Sequence, residues 1–140
     1  MTRHIVLRAL AKLLIPFIML FALYVQFHGD YGPGGGFQAG VIFAAGIILY
    51  GLVFGLPDAR RKFSPRVLEI LFAGGVLLYG GVGVVTMLLG GEFLNYSVLA
   101  HDAEHGQHRG ILLVELGVGI TVTAVMATLF FQFAGRKRNV

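Results

Sequence analysis

Four long apolar runs, over residues 5–27, 37–56, 67–89 and 111–133, alternate with shorter polar segments along the chain. Each run has about 20 residues or more, enough at about 1.5 Å per helical residue to cross a hydrocarbon core of about 30 Å. Runs two and four carry almost no polar stripe of the kind that an amphipathic helix of a soluble domain needs. The pattern predicts an all-α integral membrane protein, a single four-span domain over residues 1–140. Composition agrees: 56% hydrophobic residues, 13% charged residues and a mean hydropathy of +0.80 leave too little polar surface for a water-soluble monomer.

The first run begins after Arg3 and Arg8, as a secretory signal would, but it continues to Phe27 and ends in Val25-Gln26-Phe27-His28 with no small-x-small cleavage site. It reads as a retained first span. Lys12 can reach back to the headgroups, and Pro16 is tolerated because neighbouring helices satisfy the carbonyl it frees.

Basic residues set the expected orientation. Arg3, Arg8 and Lys12 precede span one; Arg60, Arg61, Lys62 and Arg66 lie between spans two and three; Arg136, Lys137 and Arg138 follow span four. All fall on one side of a four-span chain, so the positive-inside rule predicts cytoplasmic termini. The other two loops carry Asp30, Glu92, Asp102 and Glu104 against Arg109. The net charge of +4 and pI near 9.8 therefore report topology, and no nucleic-acid partner is implied. The sequence has no cysteine, which removes disulfides and thiolate metal sites. No internal repeat is visible, which argues against an inverted-repeat transporter within this chain.

Between spans one and two lies His28-Gly29-Asp30-Tyr31-Gly32-Pro33-Gly34-Gly35-Gly36-Phe37-Gln38-Ala39-Gly40. A phosphate-binding loop would need Lys and then Ser or Thr after its last glycine, and a dinucleotide fingerprint would need a preceding strand; neither is present. Pro33 stops a helix from running through, and Gly34, Gly35 and Gly36 permit positive φ and close backbone approach. The expectation is a packed turn, with positive φ at Gly35, leading into a span that starts at or near Phe37. Gly36, Gly40, Ala44, Gly51 and Gly55 then share one helical face, the small-xxx-small arrangement of closely packed membrane helices. Span three adds Ala73, Gly74, Gly75, Gly80, Gly81 and Gly83. Four spans cannot cover this much smooth surface among themselves, so partner subunits are expected.

Glu115 is the acid placed within a span, about 6 to 8 Å below the start of span four by helical rise. Intramembrane acids are costly and mark function or pairing. Three readings stand open: an ion path, a charge pair for assembly with Arg109 or a partner's lysine, or a side chain that snorkels outward. His101, His105 and His108 would share a face if their segment were helical, a weak metal-site pattern; a solvated polar loop and a pH sensor are the other readings. Thr86, Thr121 and Thr123 are expected to bond to helix carbonyls or across helix contacts. Glu69 lies within reach of the basic loop containing Arg66. No nucleophile–base pair appears in the spans, so no enzyme and no cofactor is implied.

The run Pro33-Gly34-Gly35-Gly36-Phe37-Gln38-Ala39-Gly40 opening a second span, in a four-span chain with Leu112-Leu113-Val114-Glu115-Leu116-Gly117-Val118-Gly119-Ile120-Thr121-Val122 in its last span, resembles the MnhB family, small membrane subunits of the Mrp (Mnh) multisubunit cation/proton antiporters. The likeness covers roughly Leu13 to Phe131. Similar subunits occur in membrane-bound hydrogenase complexes related to respiratory complex I. Two positions depart from the family pattern: Gly29-Asp30-Tyr31 stands where Gly-His-Asn is frequent, and Glu115 stands where an aspartate is usual. The resemblance implies an accessory subunit in a prokaryotic cytoplasmic membrane. Its partners would be other antiporter subunits, among them larger antiporter-like ones that carry the main proton path, with sodium ions and protons as the transported species. In that setting Pro33, Gly34, Gly35, Gly36, Phe37 and Gly40 are expected to form a structural motif and subunit contact. The rival readings are a self-sufficient homodimeric proton-coupled exporter, which would want an acid in span one where only Lys12 stands, and a purely structural scaffold in a related assembly.

Overall fold

The computed structural model describes residues 4–28, 34–93, 95 and 103–136. Five helices follow in order: α1 (Ile5–His28), α2 (Gly36–Phe54), α3 (Leu56–Lys62), α4 (Pro65–Leu88) and α5 (Ala103–Ala134). Among the described residues four helices are long and apolar enough to cross a membrane, at Ile5–His28, Gly36–Phe54, Pro65–Leu88 and His108–Ala134. Three spans match the hydropathy pattern to within about two residues at each end. The fourth starts earlier as a helix, because the polar residues before it continue the same hydrogen-bonded spiral out of the apolar zone.

The spans form a row in which α2 packs between α1 and α5, and α5 packs between α2 and α4, while α1 touches α5 only slightly. Glycines set the close approaches. On the α2–α5 contact, a Cβ on Gly40 would stand 2.7 Å from the Gly119 carbonyl oxygen and 2.8 Å from the Val122 Cβ. On the α4–α5 contact, a Cβ on Gly75 would overlap the Thr121 hydroxyl and stand 2.8 Å from the Gly117 carbonyl. In return, one on Gly117 would meet the Gly75 carbonyl at 2.9 Å. Gly117 and Gly119 are two residues apart and so point to nearly opposite sides of α5, one towards α4 and the other towards α1 and α2. Such small-residue seams are how membrane helices gain van der Waals contact when lipid supplies no hydrophobic drive between them.

The smooth face of α2 is thus largely covered within the chain, by α5, which corrects the expectation that it awaits another subunit. Ala44 is fully buried, and a Cβ on Gly51 would stand 2.7 Å from the Phe130 ring. Gly55 ends α2 rather than extending its face: at φ 98° and ψ 152° it adopts a conformation that L side chains rarely enter. The face of α4 divides. Gly75 and Gly83 are packed, against α5 and Phe93 respectively, whereas a side chain on Gly74, Gly80 or Gly81 would meet nothing within 4 Å.

One end of the row gathers the basic residues. The α3 helix carries Pro57 at its start, Asp58 in its first turn and Arg60, Arg61 and Lys62 in its last, the order that suits a helix dipole. Its Ala59 is fully buried in a cluster with Ile47, Leu68, Ala127 and Phe131. Arg60 donates from Nη2 to the Phe131 carbonyl at 2.7 Å, satisfying a carbonyl near the C-terminus of α5. Arg8 lies 5.3 Å and Lys12 6.0 Å from the centroid of the Phe54 ring at the end of α2. The Tyr50 hydroxyl donates to Asp58, and Lys62 sits over the Tyr50 ring at 4.7 Å. The hydrogen bond to Tyr50 raises the Lys62 pKa above its usual value, so the ammonium stays charged. Ser64 then caps α4, its Oγ accepting from the Val67 N–H at 3.3 Å.

Candidate functional site

Glu115 lies on α5 where that helix meets the first turn of α2. A Cβ on Gly36 would overlap the Glu115 carbonyl oxygen and stand 2.8 Å from its carbonyl carbon, so the two backbones are in direct contact. The Glu115 side chain is half-buried, with Oε1 3.6 Å from where a Gly35 side chain would begin. Gly35 is the N-cap of α2 and offers no side-chain cap of its own. The carboxylate therefore stands at the positive end of the α2 dipole, among N–H groups that lack helical partners, which offsets part of the cost of a charge at this depth.

Gly35 adopts φ 159° and ψ 177°, the positive φ expected from the sequence and a conformation that L side chains rarely adopt. Its role is to let the chain lie flat beside Glu115; the steric demand falls one residue later, on Gly36. Gly34 and Gly36 precede and open α2, Phe37 is 65% exposed and turns its ring outward, and Gly40 is buried against α5. Pro33 lies outside the described residues.

The threonines behave as their positions predict. Thr86 donates to the Gly83 carbonyl at 2.7 Å and Thr121 to Gly117 at 2.8 Å. Thr123 donates to Gly119 at 2.8 Å and, across the helix contact, to Gly40 at 3.1 Å. His108 is exposed on α5; His101 and the side chain of His105 lie outside the described residues. Among the described residues no group of three or more His, Cys, Asp or Glu side chains could hold a metal. Glu69 is exposed near the start of α4. His28 stacks on Tyr24 with ring centroids 5.0 Å apart.

One polar residue escapes a search for charges. Gln26, on α1, is 4% exposed, and its Nε2 has no hydrogen-bond partner. It covers Gly119: a Cβ there would stand 2.7 Å from the Gln26 Oε1 and 3.2 Å from the Gly36 carbonyl. Gln26, Gly36, Glu115 and Gly119 thus meet where α1, α2 and α5 converge. The signal in sequence was a polar amide one residue inside the end of an apolar run.

Residues 6–128 match the profile of a domain related to the MnhB subunit of Na+/H+ antiporters. The chain belongs to the MnhB family. It is 31% identical over 136 residues to antiporter subunit mnhB2 of Staphylococcus haemolyticus, covering 95% of this chain and 96% of the relative. It is 32% identical, over the same shares, to the mnhB2 protein of Staphylococcus aureus strain Newman. In this MnhB-family chain the matched region takes in Gly35 to Gly40 and the Glu115-to-Gly119 segment of α5, two pieces of backbone that the fold brings into contact.

Proposed function

We propose that the chain is an accessory membrane subunit of a multisubunit Na+/H+ antiporter in a prokaryotic cell membrane. The observation that carries this reading is the family match over residues 6–128, in a chain with four spans and relatives named as antiporter subunits. The site gives it physical content. Glycine contacts lock α1, α2, α5 and α4 into a row, and Glu115 is presented at the α2–α5 junction. A row of four helices with long exposed apolar faces suits a position against larger subunits. Glu115 is the charge that this chain contributes, to an ion path or to a pair with a partner subunit, and the segment from Pro33 to Gly40 is proposed to dock through its exposed Phe37, while Gly36 and Gly40 face inward onto α5. A catalytic role forms no part of this reading, which needs neither metal nor cofactor.

An affinity tag on the chain, with extraction from its own membrane in mild detergent, tests the assignment. Co-purification of large antiporter-like subunits in fixed ratio is expected. Recovery of a stable homodimer and nothing else would contradict it and favour a self-sufficient exporter.

A further inference from the structure

Between α1 and α4, over a floor formed by α2 and α5, runs a cavity of about 260 Å³ lined by residues that include Leu23, Gln26, Phe43, Leu71, Gly119 and Ile120. It opens sideways, for Leu23 is 44% and Leu71 39% exposed, and its walls are almost entirely carbon. Gln26 is the exception. Its Nε2 is buried without an acceptor, an arrangement that costs free energy unless something in the cavity supplies one.

Two other occupants fit the lining less well. A transmembrane helix of another subunit commits its backbone carbonyls to its own hydrogen bonds and so brings Gln26 no free acceptor. A water needs two to four polar partners. The Thr123 hydroxyl, which also lines the cavity, is already committed to the carbonyls of Gly119 and Gly40. That leaves a slender apolar chain with a single acceptor near one end. Gln26 lies two residues from the end of α1, near the boundary between hydrocarbon and headgroups, where the ester carbonyls of glycerolipids reside.

The geometry points to a lipid site: an ester-linked phospholipid places one acyl chain in this cavity, running from Gln26 past Phe43 towards Leu71, and the Gln26 amide, whose Nε2 is otherwise closed off, turns towards the cavity to donate to its ester carbonyl. The bound chain fills the space between α1 and α4 and so becomes part of the packing of the row.

The test uses the full chain, with the subunits that accompany it, in vesicles doped with two photoactivatable phospholipids of equal chain length, one ester-linked and one ether-linked. Adducts mapped by mass spectrometry should fall on Leu23, Phe43, Leu71 or Ile120. In the wild-type protein the ester probe should label about fivefold more than the ether probe, the worth of one net hydrogen bond. Gln26→Leu should abolish that preference. Equal labelling by both probes in wild type, or a preference that survives Gln26→Leu, would overturn the site. So would crosslinking of a photoreactive residue at Leu71 to a polypeptide rather than to lipid. If Gln26→Leu does not accumulate, the ester-to-ether ratio in wild type decides.

Discussion

Gly36, at the start of α2, and Gly74, in the interior of α4, forecast opposite results. Alanine at Gly36 would drive a methyl into the Glu115 backbone, which has no side-chain freedom with which to yield, whereas alanine at Gly74 enters open space. Gly36→Ala is expected to destabilise the α2–α5 contact by about 1–3 kcal/mol, the usual cost of overpacking. Gly74→Ala should leave the melting temperature of the detergent-solubilised chain unchanged. Equal behaviour of the two variants would show that the contact is looser than its geometry implies. Glu115 separates two roles in the same way. Glu115→Gln keeps size and hydrogen bonding but removes charge, while Glu115→Asp keeps charge and restores the residue usual in the family. If the carboxylate serves ion passage, the Gln variant assembles but loses exchange or shifts its pH profile, and Asp retains activity. If it pairs with a partner subunit, the Gln variant co-purifies less of that subunit, because a buried charge loses its counterpart.

At the scale of elements, α5 is the helix on which the row depends, since it contacts both α2 and α4. Gly75→Val should loosen α4 from α5 and speed proteolysis of the segment joining them, while Gly81→Val, on a side of α4 with nothing within 4 Å, should not. Digestion time courses of the two variants in detergent give the comparison. The elements also show what the sequence could reveal. The four spans were legible because each depends on uniform apolarity, which needs no knowledge of neighbours. The α3 helix was not, although Pro57, Asp58 and the basic last turn were in view, because a seven-residue segment with four charged residues leaves no hydropathy signal. The early start of α5 was hidden for the same reason. The small positions of α2 were legible as a stripe, but a stripe does not name its partner: that Gly36 and Gly40 meet α5 is a fact of tertiary packing. Glu115 stood out by its charge; Gln26 did not, because an uncharged amide becomes informative only when its burial is known.

For the whole molecule, Arg8, Lys12 and Arg60 lie at one end of the row through their contacts with Phe54 and Phe131. The positive-inside rule assigns that end to the cytoplasm. With no native cysteine to interfere, a cysteine replacing Ser64 should react with a membrane-impermeant maleimide only after the cytoplasmic side is opened, and one replacing Glu92 should react in intact cells. The reverse pattern would invert the orientation. The central claim is that this chain is a necessary part of an exchanger and not an exchanger by itself, having one embedded acid and no repeat about which to alternate. It is tested most directly by sodium-driven proton movement in proteoliposomes containing the full complex, the complex without this chain, or this chain alone. Exchange is expected in the first and in neither of the other two; robust exchange by the chain alone, or undiminished exchange without it, would contradict the claim.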